Sequence, residues 1–350
     1  MNGSDATRRA VLGGIGSVGL GSLAGCSGRF ERQSTGEPPV LEDRPNAVYY
    51  PTHVEGMEMI GMTDAGDRMI GLMYSYAHRF WTMDVGGVER VSPGDADVHL
   101  MASIWDPDSK RVLPVRSGLS MTITKDGTEV DSRTPWTMLS QNMGFHYGDN
   151  VVLDGDGTYT VTVETGGLSI QRLGDFEGRF DDAVTAEFEW EYNEAARDEI
   201  SFRELDNAGE RGALDPMEMS MPRSTAPAKS DLPGRVLGSG ESGDATVVVT
   251  VDERDGNPSL VVSPRTPYNR YVLPQLSLSA TLSRDGETVF EGPLSSAIDP
   301  ERGYHYGAEV DVVESGDDLT ITVDSSPQVS RHEGYETAFL SMADISLTVE

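Results

Sequence analysis

The sequence predicts an all-β protein made of two antiparallel β-sandwiches in tandem. Three observations carry this: an internal repeat, many short apolar strands separated by tight-turn signals, and a length of 350 residues. Leu119 to His146 reads LSMTITKDGTEVDSRTPWTMLSQNMGFH, and Leu278 to His305 reads LSATLSRDGETVFEGPLSSAIDPERGYH. The two align without a gap, and both run on into Tyr-Gly. With one inserted residue the match continues through NVVLDGDGTYTVTV and EVDVVESGDDLTITV. Self-similarity of this kind marks one structural unit made twice, and a chain of this length lets each unit bury its own core.

The elements follow in order. Met69 to Phe80 is apolar on both alternating faces and reads as a strand buried on both sides. Between Asp97 and Trp105, Val98, Leu100, Ala102 and Ile104 form one face, and His99, Met101, Ser103 and Trp105 the other. Lys125-Asp126-Gly127 is an Asp-Gly hairpin signal. Asp154-Gly155-Asp156-Gly157 is a second tight turn; it lacks the rest of a calcium loop. Ala186 to Tyr192 closes the unit. Short strands with turns at regular spacing argue a sandwich. Residues 48–193 are thus the first sandwich, 194–243 a linker with a short helix near Glu194, and 244–350 a second, degenerate sandwich. The second unit shows no obvious counterpart of the Met69–Phe80 strand, and Val248 aligns with His99.

Residues 1–26 read as a targeting segment. Arg8-Arg9 precedes a Gly-rich apolar run from Val11 to Leu23, which ends in Leu23-Ala24-Gly25-Cys26. A twin-arginine pair, a short apolar stretch and small residues before a cysteine are the pattern of a Tat signal with a lipobox. The run is shorter than the roughly 20 apolar residues that span a bilayer. Cys26 is then the lipidated N-terminus of the mature protein, and residues 27–47 are a flexible tether. Cys26 is also the only cysteine, so the mature chain has neither a disulfide nor a thiolate ligand.

The formal net charge is −31, and lysine occurs only at 110, 125 and 229. Self-repulsion of this size is relieved in molar salt, where the Debye length falls to about 3 Å. The acids are spread along the chain, as on a halophile's surface. No basic stripe exists to bind nucleic acid. No nucleophile elbow, zinc-protease helix motif or phosphate loop is present, so no enzymatic reading emerges.

The remaining chemistry is soft. His99, Met101, Met138, Met143 and His146 gather in the first unit, and imidazole with thioether suits copper, the cuprous ion above all. His99 and Met101 share a face of one strand. Close-spaced methionines also occur at Met57, Met59 and Met62 and at Met217, Met219 and Met221. They read either as copper-capturing donors or as apolar edge segments. His53 and His78 have no spacing argument.

DVHL at 97–100, Met138, HYGDN at 146–150 and the GTYTVT hairpin, in this order, resemble the periplasmic iron-transport proteins that accompany a high-affinity ferrous permease. The resemblance covers about residues 69–193, and more faintly 244–350. It implies dimeric, immunoglobulin-like β-sandwiches that bind copper and serve iron uptake, here in a duplicated architecture of haloarchaeal type. His99, Met138 and His146 then fall at ligand positions. Met101 stands where the family has a glutamate. The family's late histidine has no counterpart between Gly166 and Phe180. In the second unit His305 survives, and His332 lies in the loop where the late histidine belongs. Both read as remnants of a site, unless His332 completes the first site across the domain interface.

The functional expectation is a lipid-anchored copper-binding protein on the outer face of the cytoplasmic membrane. It is expected to serve iron or copper uptake, with iron as a candidate transported ion, an iron permease or another membrane transporter as partner, and a homodimer or an intrachain pseudo-dimer as assembly. The alternative is a metal-free sandwich acting as an envelope scaffold. Anchoring has a direct test. Cys26→Ser should release the protein from membranes or block its processing, and a wild type that fractionates as soluble with an intact N-terminus would refute the lipobox reading.

Overall fold

The chain is all-β, and its two halves repeat one strand-pairing scheme. The computed structural model describes residues 38–84, 87–253 and 258–350. The signal segment, Cys26 and most of the expected tether lie outside them. The first half contains β1 (His53–Glu55), β2 (Glu58–Ala65), β3 (Arg68–Tyr76), β4 (Phe80–Asp84), β5 (Gly87–Val91) and β6 (Val98–Trp105). It continues with β7 (Ser120–Lys125), β8 (Thr128–Arg133), β9 (Trp136–Ser140), β10 (Gly144–Val151), β11 (Gly157–Thr165), β12 (Gln171–Arg172) and β13 (Val184–Tyr192). A one-turn helix α1 (Glu194–Arg197) and β14 (Phe202–Glu204) follow. The second half has β15 (Arg235–Ser242), β16 (Ala245–Asp252), β17 (Ser259–Arg265), β18 (Ser277–Arg284) and β19 (Glu287–Asp299). It ends with β20 (Gly303–Glu309), β21 (Asp318–Ser325), β22 (Ser330–Arg331) and β23 (Ile345–Thr348).

In the first half, an eight-stranded sheet ordered β2-β3-β6-β10-β9-β22-β4-β5 accompanies a four-stranded sheet ordered β13-β11-β7-β8. Alternation builds the core. Tyr159, Val161 and Val163 of β11 and Phe188, Trp190 and Tyr192 of β13 point inward, with acids and threonines between them. In the second half β19 pairs with β20 through its last residues and with β18 through its first, so one long strand joins the two sheets.

Register equates the halves position by position. Tyr147 faces Ala102 and Met101 faces Gly148; Tyr306 faces Val262 and Val261 faces Gly307. The β2–β3 pair has a bulge after Met59, and the β15–β16 pair has one after Val236. Two expectations are corrected here. The Met69–Phe80 run is β3 and the start of β4, with His78 in the connection between them, and β3 does have a counterpart, β16. Ser259, not Val248, stands where His99 stands, because Ser259 is the residue of β17 opposite Glu309 just as His99 is opposite Asn150. The gapless repeat could not reveal this, since it begins downstream of both strands.

The halves also exchange strands reciprocally. β22 runs parallel to β9 (Ser330 opposite Met138, Arg331 opposite Leu139) and antiparallel to β4. β12 runs parallel to β19, with Gln171 opposite Ala297. Leu173 N–H donates to Ile298 O (3.0 Å), and its counterpart His332 N–H donates to Leu139 O (3.1 Å). Arg116 and Gln275, at equivalent positions, bond to each other at 2.6 Å. Mutual contacts between equivalent positions are the pattern of a two-fold interface. The expected linker is docked rather than loose. Its β14 pairs with β1, Met217 N–H donates to Asn142 O, and Ala226 N–H donates to Arg270 O. Residues 38–47 are likewise held, by Arg44–Glu336 (2.9 Å) and by bonds from Thr337 to Pro45 and Ala47.

Arg331 anchors the inserted strand. It is fully buried; its Nη1 donates to Ala338 O and its Nη2 to Pro327 O. Burial pushes its guanidinium down to about 10. Arg331→Met leaves two buried carbonyls without donors, so the unfolding free energy should fall by about 3 kcal/mol in denaturant titration. A loss under about 0.5 kcal/mol, the size of an ordinary surface change, would show that β22 is not held this way.

Candidate metal centre

Four histidines and one methionine meet at one face of the eight-stranded sheet. β6 supplies His99, β10 His146 and β9 Met138, with Met138 directly opposite His146. The connection from β3 to β4 supplies His78, and the residue after β22 supplies His332. His78, His99 and His332 each offer a ring nitrogen within 4.8 Å of the others. His332 Nδ1 lies 3.1 Å from His78 Nε2, and His332 Nε2 lies 3.1 Å from His146 Nε2. The His78 and His99 rings are 4.2 Å apart.

Neighbouring groups fix the tautomers. His146 Nδ1–H donates to Gly144 O (3.1 Å), leaving Nε2 as a lone-pair donor toward the cluster. His99 Nδ1–H donates to Asn150 Oδ1 (2.9 Å), and the Asn150 amide donates in turn to His78 O. His78 Nδ1–H is shared by Glu55 Oε2 and Tyr76 O, both at 3.0 Å. Burial opposes ionisation of Glu55, but the charge of His78 and hydrogen bonds from His53 and His78 outweigh it and hold this carboxyl below the usual range. This second shell of carboxylate, amide and carbonyl is what orients metal-binding imidazoles.

The cluster fits a metal ion by two tests. His99 Nε2 is buried and has no hydrogen-bond partner, a costly state unless something accepts its lone pair. Gly148 leaves the room: a Cβ there would lie 2.6 Å from His99 Nε2 and 3.1 Å from Met138 Sδ. A soft or borderline cation satisfies such a donor set.

Burial keeps His99, His146 and His332 neutral. His146 is pushed down to about 4, chiefly by desolvation. His99 and His332 are pushed well below the ordinary value by burial first, then by neighbouring histidine charge.

His99, Met138 and His146 therefore stand together around Gly148. Met101, opposite Gly148, and Met143 line an adjoining cavity of about 90 Å³, together with His53, His78 and His332. His332 and His305, expected as a pair of second-domain remnants, are separated in role, because the insertion of β22 carries His332 into the first site. His305 stays in the second half, opposite Ala297, donating from Nδ1 to Gly303 O. The position equivalent to His332 in the first half is Leu173, which is why no late histidine follows the GTYTVT hairpin there. Spacing had no means of finding His78 and Glu55, since they converge from separate parts of the chain, and Asn150 stood in the HYGDN motif without a role. The Gly of the repeated His-Tyr-Gly triplet was visible, but not what it makes room for. At the Asp154–Gly157 turn, Lys125 Nζ donates to the carbonyls of Asp154 and Asp156, so an ammonium group occupies that loop.

Known families and structures match parts of the chain. Residues 80–194 match the family model described as Fe2+ transport protein, in line with the resemblance seen in the motifs. Residues 230–348 match a model described as a domain of unknown function (DUF7350). No curated protein matches. Among solved structures, a copper-bound variant of FetP from uropathogenic Escherichia coli is similar at 23% identity and TM-score 0.32, covering 39% of this chain and 97% of that one. FetP as isolated after periplasmic expression is similar at 22% identity and TM-score 0.31, covering 40% and 96%.

Burial, not the acidic surroundings, sets the response to pH. Desolvation is the largest influence on His99 and His146 and lowers both. A histidine neutral in the fold and protonated when unfolded contributes stability that is fully present above its unfolded value. For His146 that contribution is lost as pH falls from about 6.5 to about 4. Denaturant titrations in molar salt should show stability declining across this window, and less steeply in His146→Gln. Identical slopes for the two proteins would disprove the assignment.

Proposed function

We propose that this chain, whose residues 80–194 match the Fe2+ transport protein family, is an extracytoplasmic copper-binding protein serving iron or copper uptake. His99, Met138, His146 and His332 hold the ion. His78 adjoins it, oriented by Glu55, and Met101 and Met143 stand by in the cavity. The observation that carries this reading is the buried, partnerless His99 Nε2 beside Met138 Sδ over the space left by Gly148. Bound copper would supply a redox-active or Lewis-acidic cation. The protein's own part is to keep the donors neutral, dry and fixed in tautomer. The second half acts as a built-in partner, completing an intrachain pseudo-dimer with the loop that bears His332. Cys26 holds the assembly by lipid on the outer face of the cytoplasmic membrane, next to an iron permease or another membrane transporter.

Copper titration of the full chain in high salt tests the site. Met138→Leu should weaken Cu(I) more than Cu(II), because thioether sulfur prefers the softer ion. His146→Ala and His332→Ala should weaken both by about tenfold to a hundredfold each. His305→Ala should leave binding unchanged. If a His99→Ala/His146→Ala protein binds copper as wild type does, the site is refuted and the scaffold reading stands.

A further inference from the structure

Most of the methionines lie around this one site, and the other half of the molecule shows that the fold does not require them. Met59, Met73 and Met101 face one another across β2, β3 and β6, and the row ends at Gly148 beneath His99 and Met138. In a sheet such neighbours are about 4.8 Å apart. The same row in the second half, across β15, β16 and β17, is Val236, Thr250 and Val261, ending at Gly307. Met62, Met138 and Met143 correspond to Ser239, Ala297 and Arg302. Strand pairing equates five of these positions and the gapless repeat the sixth, Met143 with Arg302, and at none of the six does the second half keep methionine. Core filling would use similar residues in both halves; here methionine accompanies the histidine cluster.

The row begins in solvent. Met59 and Met62, on the edge strand β2, are 39% and 43% exposed. The docked segment 217–221 lies over the same edge: Ser220 Oγ is 3.9 Å from Met62 Sδ, and Met221 Sδ covers Gly71, the residue opposite Met62. Met217 and Met219 are half-buried there, and Met217 is bonded to Asn142, the neighbour of Met143. Met57, Met101 and Met143 then line the cavity that also holds His78 and His332. Thioether side chains thus run from an exposed edge to the cluster.

We propose that these methionines form a collecting surface for a soft monovalent cation, Cu(I) or Ag(I), and deliver it to the histidine cluster through the cavity. The proposal rests on the copper-binding reading above. Its chemical logic is selectivity. With 58 carboxylate residues, this surface offers oxygen to every hard cation, and neutral sulfur is the donor that distinguishes a soft one. The unbranched, flexible side chain also lets an ion change partners without a fixed cage.

The test uses the full chain in molar sodium nitrate, which avoids silver chloride, with Ag(I) and Cu(II) salts as probes. Met59→Leu/Met62→Leu/Met219→Leu keeps side-chain volume, and an unchanged unfolding midpoint verifies the fold. Wild type should take up more Ag(I) than the cluster alone holds, and the triple variant should lose the surplus. Its Ag(I) uptake should slow by about tenfold as the locally raised ion concentration is lost, with Cu(II) binding intact. Equal Ag(I) stoichiometry and uptake rate in both proteins would overturn the collecting surface. Wild type that binds no Cu(II) would instead sink the copper reading, and the Ag(I) difference between the two proteins would still decide this one.

Discussion

The insertion of β22 between β9 and β4 is the constraint on which the site depends. Ser330 and Arg331 pair with β9, Arg331 pairs with Trp81 of β4 as well, and the next residue is His332. An imidazole on a free loop would lose its rotational freedom on binding an ion. Here the backbone is fixed in advance by the Leu139 carbonyl and by the buried Arg331 guanidinium. Preorganisation of this kind holds donors near a binding geometry before a ligand arrives. Because the insertion is reciprocal, each half covers the other's open sheet edge, where an uncovered edge would invite further strand pairing.

The reciprocal exchange does not make the two halves equal. Where the first half has Ser75, Ser140 and Met143, the second has Asp252, Asp299 and Arg302. There the guanidinium is held between two carboxylates, with Asp299 at 2.5 Å. His305 remains, pushed down to about 4 by burial, with the Arg302 charge acting in the same direction. One half therefore gathers neutral donors that suit an external cation, and the other carries a cation of its own. Burying neutral imidazoles and thioethers costs little compared with burying charges, which must be paired. Both solutions occupy the same place in the same fold.

The sequence by itself determined the all-β class, the two-fold repeat, and the triplet that places His146 and His305 at equivalent positions. These follow from local rules: period-two alternation, Asp-Gly turns and a gapless alignment. It also placed His99, Met138 and His146 on one candidate site, through short motifs along neighbouring strands. The misplacement of Val248 shows where such reading stops, since the repeat weakens upstream of Leu119 and only strand register equates Ser259 with His99. Tertiary structure alone decided which histidines complete the site. His332 is remote in sequence from His146 yet touches it, because a parallel pairing across the two halves is a long-range choice that no local pattern encodes. His78 and Glu55 join for the same reason, Glu55 through the placing of β1 and His78 through the connection between β3 and β4.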